Sequence, residues 1–384
     1  MRIKRIVVLA VAAGTAASLA LGGCSSGAPA KPAGTATSAS PTAPANSSGS
    51  AGPSASPSEA PCHVPSLRIK KGFASGDSLR AAETAEAISR KLNLAASACA
   101  EVIREEINFA EVAEAGLDPG TWAWDNFDTI ANQIQSHGDQ FHPVLMETPA
   151  QAAADKACLK LKKVNTKACI PTAKSYSQFA YQTVMRYGDR NNGQFLEAVE
   201  CGNEWNLNKA FVPHADPRKA GPILAACYNG AHAAARKLGI KITVNPAGLA
   251  QAKPNDGIDP VAFYRELKAT GYGRYMDNTS IHYYGDVTRL ATAVMQIHDV
   301  FPDKGVRVTE FGATTAGHDY TISIGELGKY IAEALATLRG LAYVLEADCY
   351  TIQDRPGDGS EDHFGLFDEA GHPKGDGVNA FRAG

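Results

Sequence analysis

The segment Phe195-Leu-Glu-Ala-Val-Glu-Cys-Gly-Asn-Glu-Trp-Asn206 decides how the rest of the chain is interpreted. It begins as an apolar run of the length of a buried β-strand and stops abruptly at Gly202-Asn-Glu-Trp205. A second run with a similar ending, Val306-Arg-Val-Thr-Glu310-Phe-Gly312, follows further along the chain. In both segments an acidic residue stands where a buried strand ends, and we therefore treat Glu204 and Glu310 as one pair.

On both sides of these segments, short apolar runs alternate with longer amphipathic runs, which is typical of repeated β-α units around a parallel sheet. Besides the segment quoted first, strands are predicted at residues 71–75, 101–108, 141–146, 241–245, 278–285, 306–311 and 341–352. Helices are predicted at residues 78–92, 124–136, 176–187, 217–238, 260–270, 289–301, 323–338 and 377–382, the fourth of them capped by Gly239.

Eight such units without an internal repeat predict an α/β fold, a (β/α)8 TIM barrel over residues 62–384. The competing architecture is an open, doubly wound sheet, which has a glycine-rich phosphate turn after its first strand. Gly72-Phe-Ala-Ser-Gly76 does not have the G-x-G-x-x-G spacing, which disfavours this alternative.

The N-terminus has the organisation of an export signal. Met1-Arg-Ile-Lys-Arg5 is basic, residues 6–21 are apolar and small, and Leu21-Gly-Gly-Cys24 resembles the lipobox of bacterial lipoproteins, whose cysteine is acylated. We therefore predict a lipoprotein signal peptide over residues 1–23 and an exported protein, anchored through Cys24 to the outer face of the bacterial cell membrane. The alternative is an ordinary cleaved signal peptide.

Residues 24–61 are rich in Ala, Ser, Pro and Thr and contain almost no large side chains. Such a composition cannot bury enough surface to offset the entropy of ordering, so it predicts a disordered, flexible linker before the barrel. The whole chain has 37 basic and 40 acidic residues, a net charge of −3. It has neither a basic stripe nor a nucleic-acid-binding motif, and we expect a monomer that binds no nucleic acid.

Export makes disulfides permissible. Cys158 and Cys169 flank a polar, loop-like stretch and are the first choice for a pair, and Cys62 with Cys99 is the second. Cys201 and Cys349 lie within predicted strands, where cysteine is more often a small buried apolar residue. None of the cysteines has the C-x-x-C spacing of a zinc or redox site.

In a barrel of parallel strands, reactive groups gather at the ends of the strands, at the C-terminal mouth. The predicted strand-end residues are Arg104, Asn203, Glu204, His282, Tyr284, Glu310 and Tyr350. The set combines two carboxyl groups and a fixed cation with hydrogen-bonding and aromatic side chains, which indicates catalysis.

These residues resemble those of glycoside hydrolase clan A, retaining β-glycosidases on (β/α)8 barrels that include cellulases and families 5 and 39. The resemblance is carried by Gly202-Asn-Glu-Trp205, Thr309-Glu-Phe-Gly312, Val102-Ile-Arg104, Ile281-His-Tyr-Tyr284 and the ending Gly365-Leu-Phe-Asp-Glu-Ala-Gly-His-Pro-Lys374. Members of this clan place a general acid/base on the fourth strand and a nucleophile on the seventh. Together the matching segments span most of the chain after residue 70.

The resemblance implies hydrolysis of a polysaccharide or oligosaccharide with retention, without metal or organic cofactor. Glu204 would be the acid/base, with a pKa raised by burial and by the charge of Glu310. Glu310 would be the nucleophile, kept ionised by Arg104 and by a hydroxyl such as that of Tyr284. Asn203 would hold the 2-hydroxyl of the sugar.

Several of these residues also have structural interpretations. Arg104 can pair inside the barrel with Glu200, Glu346 or Asp348, and His282 can be a structural histidine rather than a substrate contact. Trp205 and Trp124 can stack on sugar rings or pack in the core.

Members of the clan commonly carry a tryptophan on the eighth strand, where this chain has Tyr350 in Glu346-Ala-Asp-Cys-Tyr350. Either Tyr350 substitutes for it or the floor of the sugar site is altered, so the sugar stays open. The charged loop at residues 354–363 is interpreted as solvated, covering one side of the cleft, rather than as a Ca²⁺ site, because it lacks EF-hand spacing.

Two other functions are compatible with parts of the sequence. One is a non-catalytic carbohydrate-binding lipoprotein on a glycosidase-like barrel. The other is an esterase, which the lack of a G-x-S-x-G motif disfavours.

Overall fold

The computed structural model describes residues 62, 69–76, 78–81, 84–317 and 320–384. Eight parallel strands form one sheet in the order β5-β4-β3-β2-β1-β8-β7-β6. They are β1 (Lys70–Ala74), β2 (Val102–Asn108), β3 (Gln140–Met146), β4 (Ala198–Asn203), β5 (Thr243–Gly248), β6 (Thr279–Tyr284), β7 (Val306–Gly312) and β8 (Val344–Tyr350). Leu249 and Ile281 form a parallel bridge between the ends of the sheet, and the amide of His282 donates to the Leu249 carbonyl at 3.0 Å. The sheet is thus a nearly closed barrel, which confirms the predicted fold.

Helices cover the outside of the barrel. They are α1 (Ala85–Ser97), α2 (Phe109–Val112), α3 (Asp125–His137), α4 (Ala173–Tyr187), α5 (Pro217–Leu238), α6 (Pro260–Ala269), α7 (Leu290–Val300), α8 (Ile324–Arg339) and α9 (Gly377–Ala383). The predicted bounds of α5 are correct, because Asp216 caps its first turn and Gly239, with a φ of 71°, ends it in the left-handed region. The predicted start of α1 at residue 78 is wrong: Thr84 caps this helix by accepting from the Ala87 amide at 3.2 Å.

The apolar core lies between the strands and the helices, whereas the inside of the barrel is strongly polar. Glu346 accepts hydrogen bonds from His142 Nδ1 at 2.6 Å and from Arg307. Burial raises the pKa of Glu346, but Arg307 and His142 outweigh it and the net shift is downward. Its neighbour Asp348 has a pKa held well above the usual range by burial and by the charge of Glu346. These residues form a charged layer across the barrel interior.

Three disulfides tie the described chain together. The predicted pairs Cys62–Cys99 and Cys158–Cys169 are confirmed. The interpretation of Cys201 as an unpaired apolar residue is wrong, because it is bonded to Cys227 of α5. Side chains alternate along a strand, so Glu200 points into the barrel and Cys201 points outward, to the helix that follows β4. Cys349 is a buried free thiol, as expected.

The predicted signal peptide (1–23), Cys24 and the rest of the predicted linker (24–61) lie outside the described residues. Among the helices that the structure describes, none combines the length and the apolar character needed to cross a membrane.

Candidate active site

Glu204 follows directly after β4, in an unusual backbone conformation. Its φ is 50°, in the left-handed region, and its amide donates to the Gly248 carbonyl of β5 at 3.0 Å. Gly202 also has a positive φ, of 89°, and a Cβ there would lie 2.1 Å from the Trp205 ring. The Gly202-Asn-Glu-Trp205 sequence therefore produces a tight turn that packs Trp205 back onto its own strand and leaves Glu204 at the barrel mouth.

Glu310 lies near the end of β7 and is largely buried, with 8% of its surface exposed. Its Oε1 accepts from Arg104 Nη1 at 2.8 Å, and its Oε2 accepts from the hydroxyl of Tyr284. Burial and the adjacent charge of Glu310 raise the pKa of Tyr284 well above its usual range, so this hydroxyl keeps its proton. Glu310 is thus a carboxylate held at both oxygens by donors from two other strands, β2 and β6.

Arg104 links the two strands that carry the acidic residues. Besides Glu310, its guanidinium donates to Glu200 Oε1 at 2.6 Å and to Asn203 Oδ1 at 2.7 Å. Its burial lowers the pKa, but Glu200 and Glu310 outweigh that effect and the guanidinium stays charged. Of the three partners considered for Arg104 from the sequence, Glu200 is its direct ion pair, and the same guanidinium also contacts Glu310. Arg104 therefore both forms an ion pair inside the barrel and contacts the acidic residue at the barrel mouth.

His282 lies between the two acidic residues and is fully buried. Its Nδ1 is 3.3 Å from Glu204 Oε1 and 3.3 Å from Glu310 Oε2. Its Nε2 lies 3.4 Å from Arg104 Nη2. A guanidinium can only donate, so Nε2 accepts and Nδ1 carries the proton that faces the carboxylates. Gly248 leaves room for this ring, because a Cβ there would be 2.1 Å from His282 Nε2.

The carboxyl groups of Glu204 and Glu310 are close together. One oxygen of Glu204, one oxygen of Glu310 and a ring nitrogen of His282 all lie within 4.8 Å of one another. The pair inferred from two strand endings in the sequence is therefore brought together at one place in the barrel mouth.

The expected upward pKa shift of Glu204 is wrong for this arrangement. Burial raises the pKa, but the hydrogen bond from His282 and the ammonium of Lys209, 3.5 Å from Glu204 Oε2, lower it to about 2. Lys209 was not among the predicted site residues; it comes from the loop after β4 and lies five residues beyond Glu204. Nothing in strand periodicity predicts where such a loop residue turns its side chain.

Two clusters of described residues have the ligand types of a metal site: Glu204, His282 and Glu310 at the mouth, and His142, Glu346 and Asp348 in the interior. In both, a guanidinium already neutralises a carboxylate, Arg104 at Glu310 and Arg307 at Glu346. At Glu310 and at Glu346, a divalent cation would therefore compete with a buried arginine.

Aromatic rings line the mouth beside β6 and β8. Tyr284, Tyr350 and Phe364 form a cluster with ring centroids 5.3–5.9 Å apart and steep mutual angles. Tyr350 thus occupies the mouth end of β8, but it shares the aromatic surface with Phe364. The sequence argument missed Phe364, whose only signal was its position next to the charged loop at residues 354–363.

The two tryptophans considered as stacking platforms differ. Trp205 packs with Tyr176 and Phe211 at 6.1 Å and 5.7 Å and lines a cavity of about 350 Å³ next to Glu204. Trp124 instead packs among Trp122, Phe179 and Tyr187 and is 6% exposed, so its role is packing in the core.

The loop at residues 354–363 packs over the end of β7. Thr314 Oγ1 donates to the Ser360 carbonyl at 2.8 Å, and the Thr315 amide donates to the His363 carbonyl at 3.0 Å. Glu361 of this loop is exposed, as expected for a solvated loop. The loop therefore covers one side of the barrel mouth. Asp354 of the same loop forms an ion pair with Lys374 at 2.9 Å, so its carboxylate already has a cationic partner other than Ca²⁺.

Residues 225–376 match the family model of the glycosyl hydrolase catalytic core. No curated protein sequence matches the chain.

Solved structures match the barrel over most of its length. They include a family 39 glycoside hydrolase from the gut symbiont Bacteroides cellulosilyticus WH2, with 17% identity, a TM-score of 0.58 and coverage of 82% of this chain and 63% of that one. A monomeric β-xylosidase from Caulobacter crescentus CB15 has 15% identity, a TM-score of 0.60 and coverage of 82% and 66%. An exo-β-1,4-mannosidase from Opitutaceae bacterium strain TAV5 has 15% identity, a TM-score of 0.57 and coverage of 82% and 58%.

At these identities the structural matches establish the barrel, and this chain spans just under two thirds of the length of the first of them. The match to the catalytic-core model covers strands β5 to β8, including β7 with Glu310, and helices α6 to α8. The resemblance to glycoside hydrolases expected from the sequence is thereby confirmed: residues 225–376 match a glycosyl hydrolase catalytic core, and they form the second half of a (β/α)8 barrel.

Proposed function

We propose that the protein is a retaining β-glycoside hydrolase that acts on a polysaccharide or oligosaccharide by double displacement. The observation that carries this proposal is the approach of Glu204 and Glu310, whose nearest oxygens lie within 4.8 Å. Retaining glycosidases hold their two carboxyl groups about 5–5.5 Å apart, whereas inverting enzymes need about 6.5–9.5 Å to admit a water molecule. The short separation therefore favours direct attack by one carboxylate over attack by water.

In the first step, Glu310 attacks the anomeric carbon while Glu204 gives its proton to the glycosidic oxygen, which leaves as an alcohol. Glu310 suits the nucleophile because Arg104 and Tyr284 hydrogen-bond and orient both of its oxygens. Glu204 has to be protonated to act, so its pKa has to rise from about 2 when substrate binds. A leaving group that separates Glu204 from Lys209 and excludes water removes one cause of the low pKa and leaves burial to raise it.

In the second step, Glu204 takes a proton from a water molecule, whose oxygen attacks the anomeric carbon and releases Glu310. The two inversions together retain the configuration. Asn203 accepts from Arg104 through Oδ1, which leaves its amide N–H groups free to donate to the 2-hydroxyl of the sugar. Further sugar contacts are proposed for Arg104, His282, Tyr284, Trp205 and Tyr350.

The test is to replace each acidic residue by alanine and to measure hydrolysis of aryl β-glycosides, beginning with xylosides and mannosides. Glu310→Ala should abolish turnover of every substrate, because no covalent intermediate can form. Glu204→Ala should spare substrates with an activated leaving group, such as dinitrophenol, far more than unactivated ones, since such a group leaves without a proton. Azide should restore turnover of Glu204→Ala and yield the β-glycosyl azide.

Glu333→Gln on the exposed side of α8 serves as the control and should leave both activities unchanged. Equal, mild losses from both alanine variants would refute the catalytic roles. Binding of β-glucans, xylans, mannans or galactans without hydrolysis of any of them would instead support the carbohydrate-binding alternative.

We further propose, from the sequence of residues 1–24, that a monomeric catalytic barrel is tethered through Cys24 to the outer face of the cell membrane. The support is the basic and apolar segment that ends in Leu21-Gly-Gly-Cys24. Mass spectrometry of the mature N-terminus decides this point, since an unmodified N-terminus other than Cys24 would contradict it.

A further inference from the structure

The segment between β3 and α4 carries a concentrated positive charge. Residues 155–169, called the lysine loop here, contain five lysines and one aspartate in a chain whose net charge is −3. The Cys158–Cys169 disulfide closes most of this loop. Its exposed lysines are Lys156, Lys160, Lys162, Lys163 and Lys167.

The lysine loop forms one wall of the cavity of about 350 Å³ next to Glu204. Asn165 and Lys167 line it from the loop, and Trp205 and Lys209 line it from the turn after β4. Lys167 pairs with Glu147 at 3.1 Å and is 50% exposed, and Lys209, 3.5 Å from Glu204, is 77% exposed. The cavity therefore combines an aromatic wall with ammonium groups that solvent can still reach.

The cavity lies next to Glu204, the proposed acid/base, rather than next to the proposed nucleophile. Asn203 and Glu204 are among its lining residues, and Glu310 is not among the described residues that line it. An acid that protonates the glycosidic oxygen contacts the part of the substrate that departs. Under the proposed mechanism, the cavity next to Glu204 is thus where the leaving group lies.

We propose that this cavity and the lysine loop bind the leaving-group side of an anionic saccharide, one that carries carboxylate, sulfate or phosphate groups. The assignment of the cavity to the leaving-group side rests on the proposed function. The preference for anionic over neutral saccharides can be measured without turnover. Aromatic side chains such as Trp205 and Phe211 pack against sugar rings, and the lysines pair with acidic substituents and raise the local concentration of an anionic polymer. Lys167 and Lys209 border a concave site rather than a flat face, which favours a saccharide over a membrane surface.

The experiment measures binding to matched polymers by affinity electrophoresis, with the wild type and with Glu310→Gln. The pairs are carboxymethyl cellulose against hydroxyethyl cellulose, and dextran sulfate against dextran, so that carboxylate and sulfate are tested separately. In the test variant, four lysines of the loop are replaced by glutamine: Lys160, Lys162, Lys163 and Lys167. In the matched control, four exposed lysines elsewhere are replaced in the same way: Lys219, Lys237, Lys241 and Lys329.

The lysine-loop variant should bind the anionic polymers roughly tenfold more weakly than the control variant, because several modest exposed ion pairs are lost together. Its binding to the neutral polymers should match that of the wild type. The difference between the two variants should also shrink as salt rises.

Equal losses in the two variants, or equal affinity of the wild type for neutral and anionic polymers, would overturn the inference. So would lysine-dependent binding to phosphatidylglycerol vesicles without any effect on the saccharides. If charge-selective binding requires the lysine loop but no glycoside is hydrolysed, the anionic site stands and the proposed catalytic function fails.

Discussion

Removal of one hydroxyl group next to the proposed nucleophile tests the mechanism without disturbing the fold. Tyr284→Phe deletes the hydrogen bond to Glu310 Oε2 but keeps the ring that packs with Tyr350 and Phe364. A hydrogen bond to a charged group contributes about 1.5–3 kcal/mol. At about 1.36 kcal/mol per factor of ten, its loss corresponds to roughly a 10- to 150-fold change in rate.

The size of the effect on the rate differs between the two chemical steps. When the glycosyl intermediate breaks down, Glu310 regains its negative charge, and a donor at Oε2 stabilises that developing charge. When the intermediate forms, Glu310 loses charge, so the same donor gives no such help. Tyr284→Phe should therefore slow the second step more than the first.

The assay is the pre-steady-state release of dinitrophenol from a dinitrophenyl glycoside. Tyr284→Phe should show a burst of about one equivalent of phenol per enzyme, followed by slow turnover in which kcat and KM both fall. Tyr283→Phe is the matched control, because its hydroxyl donates to the Asp286 carbonyl at 2.6 Å outside the barrel mouth. It should lose some stability and show no burst. An unchanged kcat in Tyr284→Phe, or a raised KM without a burst, would refute the reasoning.

Two further predictions concern stability. Asp139 is 7% exposed, and burial raises its pKa to about 7. The folded state therefore favours the protonated carboxyl group. The free energy of unfolding should fall as the pH rises from about 4 to 7, because the buried group then has to ionise. Asp139→Asn should thus stabilise the protein at pH 8 by up to about 4 kcal/mol and have little effect at pH 4 in urea titrations; an equal effect at both pH values would contradict this. Cys227→Ala opens a link between residues 26 apart and should cost about 3.5 kcal/mol, clearly more than Cys349→Ala at the buried free thiol; similar losses would contradict the assigned disulfide.

The barrel and the acidic pair were predictable because both depend on strand pattern. Strands with apolar runs, separated by amphipathic helices, define eight units, and parallel strands bring their carboxyl ends to one rim. Glu204 and Glu310 each follow such a run, so their meeting at the rim needs no knowledge of loops. Because side chains alternate along a strand, Arg104 and Glu200 are both expected to point into the barrel, where they form an ion pair. These contacts are fixed by backbone register rather than by side-chain detail.

The protonation of the site was not predictable in the same way. The upward shift expected for Glu204 considered burial and Glu310, but the direction is set by Lys209 and by the proton on His282 Nδ1. Lys209 reaches the carboxylate from a loop, and the tautomer of His282 follows from its distance to Arg104. Both depend on side-chain positions that sequence spacing does not determine. The missed Cys201–Cys227 link has a similar cause, because it depends on which helix packs against the outer face of β4.

The aromatic cluster of Tyr284, Tyr350 and Phe364 explains why the sequence indicates the type of reaction more clearly than the sugar that is bound. The acidic pair stands on β4 and β7, whereas the rings beside it come from β6, β8 and the segment after the charged loop. Tyr350 lies at 89° to Tyr284 and at 70° to Phe364, so the cluster offers ring edges as well as faces. A single indole would offer one flat face to a sugar. Because Phe364 belongs to a connecting segment, its position can change without moving either carboxylate, and sugar preference can therefore vary while the chemistry is kept.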